Sequence, residues 1–449
     1  MEKISQLRLF SDNSVAITSS NNSEWGTFKD SLKAPVHRWF TYPAGFSFNA
    51  VRHSFEQYGI RKSQTIYDPY MGSGTTNIEA KIQGINSVGV EAHPFVFRIA
   101  KGKLNWEIDE VKAKKFLTYV KNNLESKSSN LQSFNLNSEF PKLILKCYTK
   151  EALYDLWALR ELYNSYELSS ELSNFFFVVI TALLRDVSTA ATGWPYIAPK
   201  KKKITSFDKD ILDEFLVLTF SMIKDLGKIK TISDKNYKIS HHTIYNDDSR
   251  NTESIISKES IDHVFTSPPY LNNFDYADRT RLEMYFWGEA SSWSDITKKV
   301  RTHLITSATT QIRRTDSKYQ ILDSLQKNNP KVAEFIEESS TRLSKIRLTK
   351  GGRKSYDLLV IGYFNDLFLT LNDIFRVLKP NSYALFVLGD SAPYGVHIPT
   401  DEIIGELGLS VGFDSYEIEV LRQRGGKWGK NPQRHSVKLR ESILKLKKV

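Results

Sequence analysis

Two short stretches of this 449-residue chain combine residue types that can do chemistry. The first is Ser267-Pro268-Pro269-Tyr270, which cuts off the apolar pair Val264-Phe265. Each proline lacks an N–H and fixes its φ, so neither a sheet nor a helix interior continues through the pair. A buried strand must end there in a rigid turn. The second is "DPYMGSGTT", Asp68 to Thr76. It has the outline of a nucleotide loop. It lacks the Lys of a P-loop, which argues against nucleoside triphosphate hydrolysis, and it lacks the GxGxxG spacing of a dinucleotide fingerprint. A Gly-Ser-Gly turn after a strand still lets backbone approach a ligand closely at the carboxyl end of a sheet. Glu91 closes the next apolar run, "VGVE". A carboxylate there can accept hydrogen bonds from both hydroxyls of a ribose. Asp248 in "NDDSR" can orient an adenine amine; Asp247 is its rival, and either can simply cap a helix.

These residues need strands and turns to hold them. Ser63 to Met71 reads as a short buried strand, Gly72 to Gln83 as a helix, and "INSVGVEAHPF" as a second strand. That rhythm opens an α/β parallel sheet. Upstream, Phe48 to Tyr58 predicts a helix carrying Val51 and Phe55 inward, after a polar arm over residues 1–35. Residues 107–235 show helical periodicity and read as a long helical insertion, with Lys200 to Lys203 in a loop-like stretch. Strand patterns return at "YKISHHTIYNDDSR" and "SIDHVFTSPPY". Residues 289–355 are polar and charge-mixed, and predict a second, smaller insertion. An amphipathic helix then ends at Pro380, followed by the buried strand "SYALFVLGDS" and two closing strands, "SYEIEVLRQR" and "ESILKLKK". The catalytic domain is thus expected over 36–106, 236–288 and 356–449.

Composition narrows the partners. The net charge of +11 favours a polyanion, nucleic acid before membrane. The single cysteine, Cys147, excludes an internal disulfide and a Cys-rich zinc site, and it looks like a buried helical position. His241 and His242 are adjacent on a predicted strand, so they face opposite sides and make no metal pair. No metal site is expected. The N-terminus has no apolar core of a leader, and no run approaches a membrane span, so the expectation is an intracellular, prokaryotic, cytoplasmic protein.

Asp68–Thr76, Glu91 and Ser267–Tyr270, in that order, resemble the S-adenosylmethionine-dependent DNA amino-methyltransferases, which methylate N4 of cytosine or N6 of adenine. The resemblance covers roughly residues 37–105, 240–288 and 356–446. It implies a Rossmann-like methyltransferase sheet. It also implies that Asp68, Tyr70, Gly72, Ser73, Gly74, Thr75 and Thr76 hold the cofactor, together with Glu91 and Asp248. "HRWFTYPAGF" is similar to the family's further cofactor segment and adds Tyr42, Pro43 and Ala44. The Ser-Pro-Pro-Tyr tetrapeptide is then catalytic. An exocyclic amine is a poor nucleophile because its lone pair is delocalised into the ring. The Pro268 carbonyl and the Ser267 side chain are expected to accept its two N–H groups, and Tyr270 to stack on a base flipped out of the duplex. Pro269 completes the turn.

Ser at the first position resembles the cytosine-N4 members; Asp or Asn is usual for adenine-N6, which is the alternative. Cytosine-C5 chemistry needs a Pro-Cys nucleophile that this chain lacks. The order of the motifs, cofactor loop first, departs from many similar cytosine-N4 enzymes. Either insertion can be the target-recognition region. Lys200, Lys201, Arg313 and Arg314 are candidate phosphate contacts, Asn272 and Asp275 candidate base contacts, and Trp428 a candidate wall of the base pocket. The implied partners are double-stranded DNA and a cognate restriction endonuclease. An RNA base methyltransferase is a weaker reading. A nucleic-acid-binding protein with an inactive cofactor pocket is the reading from another class.

Overall fold

The computed structural model describes residues 16–19, 24–42, 45–191, 197–202, 209–272, 274–424 and 437–449. Ten strands are β1 Ile17–Ser19, β2 Thr65–Asp68, β3 Asn86–Val90, β4 Ala190–Ala191, β5 Ala198–Lys202, β6 His242–Tyr245, β7 Ile261–Thr266, β8 Leu378–Gly389, β9 Ser415–Arg424 and β10 Leu439–Lys448. Eight of them form one sheet in the order β1-β9-β10-β8-β7-β2-β3-β6. β8, β7, β2, β3 and β6 run parallel to one another, whereas β10 is antiparallel to both β8 and β9. β1 adds a parallel edge to β9, so part of the expected N-terminal arm belongs to the sheet. This is the α/β, Rossmann-like arrangement expected from the sequence.

The central strands are apolar because helices cover both faces. Along β8, Ala384 and Phe386 point to one face and Leu385 and Val387 to the other, following the two-residue period of a strand. Val264 joins the first core and Phe265 the second. The helix Phe48–Gln57 buries Val51 and Phe55 against the second face. Its N-cap Ser47 accepts the N–H of Asn49.

The region 107–235 is built on four long helices, Glu110–Leu131, Lys150–Ser165, Ser170–Val187 and Ile211–Ile232. Each opens on a side chain that accepts a free backbone N–H: Asp109, Thr149, Ser169 and Asp210. Their core, with Phe116, Leu156 and Phe176, is continuous with Ile78, Phe95 and Ile99 beside the sheet. Cys147 is buried as expected, but it lies in the turn after the short helix Lys142–Leu145, not in a helix. Lys200 and Lys201 lie on β5, paired with β4, in place of the expected loop; their side chains fall outside the described residues, as does Lys203.

Two further findings depart from the sequence reading. The helix that was expected to reach Pro380 is Tyr356–Val377, and Leu378 already begins β8. Pro380 sits where the pairing of β8 with β7 is interrupted, between Ile261↔Leu378 and His263↔Tyr383, which is where a strand tolerates a residue without an N–H. The same helix is long and apolar enough to cross a membrane, with a mean hydropathy of 1.3, although no such run was expected. Of that apolar stretch 72% is buried inside the protein, which makes it a core helix.

Residues 289–355 contain the helix Pro330–Arg347, whose Phe335, Ile336 and Leu343 share one core with Leu359, Phe364 and Leu371. Leu343→Ala should therefore cost about 2–5 kcal/mol. It should lower the same unfolding transition as Leu371→Ala in thermal melts followed by circular dichroism; a separate early transition would mark the segment as an independent unit.

Candidate functional site

The chain leaves β2 for β3 on one side and returns at β7 on the other, so the strand order reverses at β2. In open α/β sheets the crevice at such a reversal, at the carboxyl ends of the strands, takes the ligand. Both sequence motifs begin there. Asp68 is the last residue of β2 and Thr266 the last of β7. The Thr266 hydroxyl donates to Asp68 Oδ1 at 2.6 Å, and Tyr70 N–H donates to the same oxygen at 3.1 Å. Thr76 Oγ1 donates to the Phe265 carbonyl at 3.3 Å. Asp68 is fully buried, and burial pushes its carboxyl up to about 6 against the opposing pull of its hydroxyl and N–H donors. Asp68, Gly74 and Thr76 thus stand behind the wall of the crevice and hold its two loops together.

The crevice is an open cleft of about 830 Å³. Of the residues expected to hold a cofactor, Tyr42, Tyr70, Gly72, Ser73, Thr75, Glu91 and Asp248 line it. Gly72 and Gly74 have φ of +55° and +89°, which only glycine adopts without strain, and the helix Thr75–Gln83 starts directly after them. Glu91 is clamped by backbone: Oε2 accepts Gly72 N–H and Oε1 accepts His93 N–H, both at 2.8 Å. Burial raises its carboxyl to about 7, and the two N–H donors oppose that shift. Between the two candidate aspartates, Asp248 faces the cleft, whereas Asp247 is exposed and accepts the Asp248 N–H at 2.7 Å. Asp248 is held by Arg250, with contacts of 2.9 and 3.0 Å from Nε. Pro43 and Ala44 lie outside the described residues.

Ser267 and Pro269 line the same cleft, opposite the glycine loop, and Pro268 is buried. The Ser267 hydroxyl donates to the Val387 carbonyl on β8 at 3.0 Å. Its proton is thereby engaged, and its oxygen is left as an acceptor. Tyr270 departs from expectation. It is buried outside the cleft wall, its hydroxyl donates to Glu441 Oε1 at 3.2 Å, and Arg424 covers its ring at 5.5 Å. Its ring needs the missing side chain of Gly389, where a Cβ would come within 2.8 Å. Tyr276, from the same segment, does reach the cleft, with its ring 5.9 Å from that of Tyr42.

Sequence reasoning missed one wall altogether. His303, Leu304, Ile305 and Ser307 line the cleft from within the supposed insertion. The Gln311 side chain accepts the N–H groups of Ser307 and Ala308 at 2.8 and 2.9 Å. Asp366 accepts Thr306 N–H at 2.7 Å and an Arg250 N–H at 2.8 Å, which ties this segment to Asp248. The only local signal was the apolar pair Leu304-Ile305 between polar neighbours.

The nucleic-acid candidates fare unevenly. Asn272 is half-buried at φ +58°, with its N–H on the Ser307 carbonyl at 2.9 Å. Asp275 is not an open base contact: it is buried and paired with Arg301 at 2.9 and 2.8 Å. Arg314 is engaged with Asp357 at 3.0 and 2.9 Å, beside the start of the helix Tyr356–Val377, whereas Arg313 is exposed. Trp428 lies outside the described residues.

The clamped carboxylate has a pH signature. Glu91 titrates near 4.5 unfolded and near 7 folded, so between those values the folded protein holds more protons. Its contribution therefore favours the folded state at acid pH and is lost as pH rises from about 4.5 to about 7. Glu91→Gln should flatten that part of the stability profile in urea titrations; an unchanged slope would show that the carboxylate is not desolvated.

A family model described as DNA methylase, of the N6/N4 type, matches residues 15–102, the stretch that carries the glycine loop and Glu91. Over nearly its whole length the chain is also similar to curated proteins. It is 26% identical to the type II methyltransferase M.BsoBI of Geobacillus stearothermophilus, over 96% of this chain and 89% of that one. It is 24% identical to the type II methyltransferase M.MvaI of Kocuria varians, over 90% and 86%. With the type II methyltransferase M.AvaI of Nostoc sp. the identity is 22%, over 88% and 82%. With the glycine loop and the Ser-Pro-Pro-Tyr turn meeting in one cleft at the sheet's reversal point, the chain is similar to the N6/N4 DNA methylases in its cofactor-loop segment and to type II methyltransferases along most of its length.

Proposed function

We propose that this DNA methylase transfers a methyl group from S-adenosylmethionine to the N4 amine of a cytosine flipped out of duplex DNA. The observation that carries the reading is the Ser267 hydroxyl, which donates to the Val387 carbonyl and lines the same cleft as the glycine loop. The loop Gly72–Thr75 and Tyr42 would hold the methionine end, Glu91 the ribose hydroxyls and Asp248 the adenine amine. The bound cofactor supplies an electrophilic methyl on sulfonium.

The chain's own part is to make the amine a nucleophile. Ser267 Oγ and the Pro268 carbonyl accept its two N–H groups and draw the nitrogen toward tetrahedral geometry. Both acceptors sit on a turn with little freedom, so they need no reorganisation during the reaction. Tyr276, on the cleft wall, takes the stacking role first assigned to Tyr270. Ser267, in place of Asp or Asn, resembles the cytosine-N4 members; adenine N6 is the second reading. The relatives' designation as type II methyltransferases supports a restriction–modification setting, with a cognate endonuclease as partner.

The protein should be incubated with labelled S-adenosylmethionine and mixed-sequence duplex DNA, and the DNA digested to nucleosides for mass spectrometry. N4-methylcytosine is expected, with the rate reduced about 10²–10³-fold in Ser267→Ala, the usual cost of one preorganised hydrogen-bonding group. N6-methyladenine would replace the first reading by the second, and DNA left unmethylated would overturn both.

A further inference from the structure

We propose that Lys103 is the buried counter-charge for the anionic end of the cofactor, acting on it through the Ser73 hydroxyl. This rests on the cofactor reading above and adds the group that would recognise the carboxylate of the amino-acid part. Lys103 lies near the end of the helix Pro94–Leu104 and is fully buried. Its Nζ donates to Ser73 Oγ at 3.3 Å and to the His37 carbonyl at 3.4 Å. Both contacts are long for an ammonium, which normally closes to about 2.7–2.9 Å on a charged acceptor. Because Ser73 Oγ accepts from Lys103, its own proton is turned to other acceptors, and Ser73 lines the cleft.

The surrounding charges leave this ammonium uncompensated. His37, on the preceding segment, has its pKa lowered by burial and is neutral at neutral pH. Glu79, on the helix Thr75–Gln83, is shared between His37 at 2.9 Å and Arg52 of the helix Phe48–Gln57 at 2.6 Å. The helix Ser170–Val187 meets this end of the lysine's helix with Asn174 and Val178, at Gly102. Asp225, on the helix Ile211–Ile232, is taken by Arg38 and Trp39. Desolvation accordingly brings Lys103 down to about 7.

The cleft itself has the opposite need. Glu91 and Asp248 line it, and among the described residues no lysine or arginine does. Asp248 is already paired with Arg250, so the glycine loop is where an incoming carboxylate finds donors not yet matched by a charge. There the N-terminus of the helix Thr75–Gln83 and the Ser73 hydroxyl face it, with Lys103 behind. An anion at Ser73 favours the charged lysine, so binding should take up a proton where the free protein has lost it, above about pH 7.

Titration calorimetry in two buffers of different ionisation enthalpy tests this on the full chain. The probes are S-adenosylhomocysteine, which carries the carboxylate, and 5′-methylthioadenosine, which lacks the amino-acid part. At pH near 8 the wild type should bind the first with proton uptake. Lys103→Met should abolish the lysine's share of that uptake. It should also weaken S-adenosylhomocysteine by about tenfold, the equivalent of one pKa unit, and leave methylthioadenosine unchanged. Ser73→Ala keeps the lysine and should lose the same uptake. Equal weakening of both probes, or uptake retained in both variants, would overturn the role of Lys103 while leaving the cofactor reading intact. Failure of the wild type to bind either probe would overturn the cofactor reading and this inference with it.

Discussion

A buried hydrogen bond, from the Thr266 hydroxyl to Asp68 at 2.6 Å, ties the carboxyl ends of β2 and β7 together. The two loops that leave those strands are the glycine loop and the Pro-Pro turn. Adjacent strands lie about 4.8 Å apart, so this bond helps fix the spacing between the two loops across the cleft. The arrangement has a cost. A carboxyl group in a fully buried position is desolvated, and Asp68 is pushed up to about 6. Two hydroxyls and the N–H of Tyr70 offset part of that penalty, and each of them belongs to one of the two loops or the strands beneath them. Both donors to Oδ1, the Thr266 hydroxyl and the Tyr70 N–H, are therefore present only when both loops are in place.

The rest of the cleft is assembled from segments distant in sequence. Arg250 joins Asp248 to Asp366, and Asp366 takes the N–H of Thr306, so one guanidinium couples the segment after β6 to the wall at residues 303–307. The resulting wall carries two carboxylates and, among the described residues, no lysine or arginine. The chain's net charge of +11 must therefore be carried elsewhere on the molecule. A cleft of this sign favours a ligand with a cationic centre, whereas the basic surplus suits a polyanion outside it.

Much of this was legible in the sequence because its signals are local. Strand periodicity, positive-φ glycines and consecutive prolines each act within a few residues, and they placed Gly72, Ser73, Glu91, Asp248 and Ser267 in one cleft. What was not legible depends on contacts made across the fold. The wall at 303–307 is tied down by Asp366, which lies some sixty residues on, and only the apolar pair Leu304-Ile305 announces it locally. Asp275 looked like a free acceptor until Arg301 was folded onto it. The end of the helix at Val377 was misread because Pro380 is tolerated in a strand whose pairing is interrupted at that point. Tyr270 was misassigned for the same reason. Glu441, which anchors it, is contributed by the last strand of the sheet.

The anchoring of Tyr270 explains the turn better than stacking would. Thr266 is tied to β2 through Asp68, Ser267 to β8 through the Val387 carbonyl, and Tyr270 to β10 through Glu441. Glu441 is in turn braced by Arg422 of β9 at 2.5 Å. Between these ties stand two residues whose φ is already fixed by their rings. Five consecutive residues are thus restrained by three other strands and by their own covalent geometry. A hydrogen-bond acceptor on such a turn loses almost no freedom when a partner arrives, so its geometry is set by the fold before any ligand is bound.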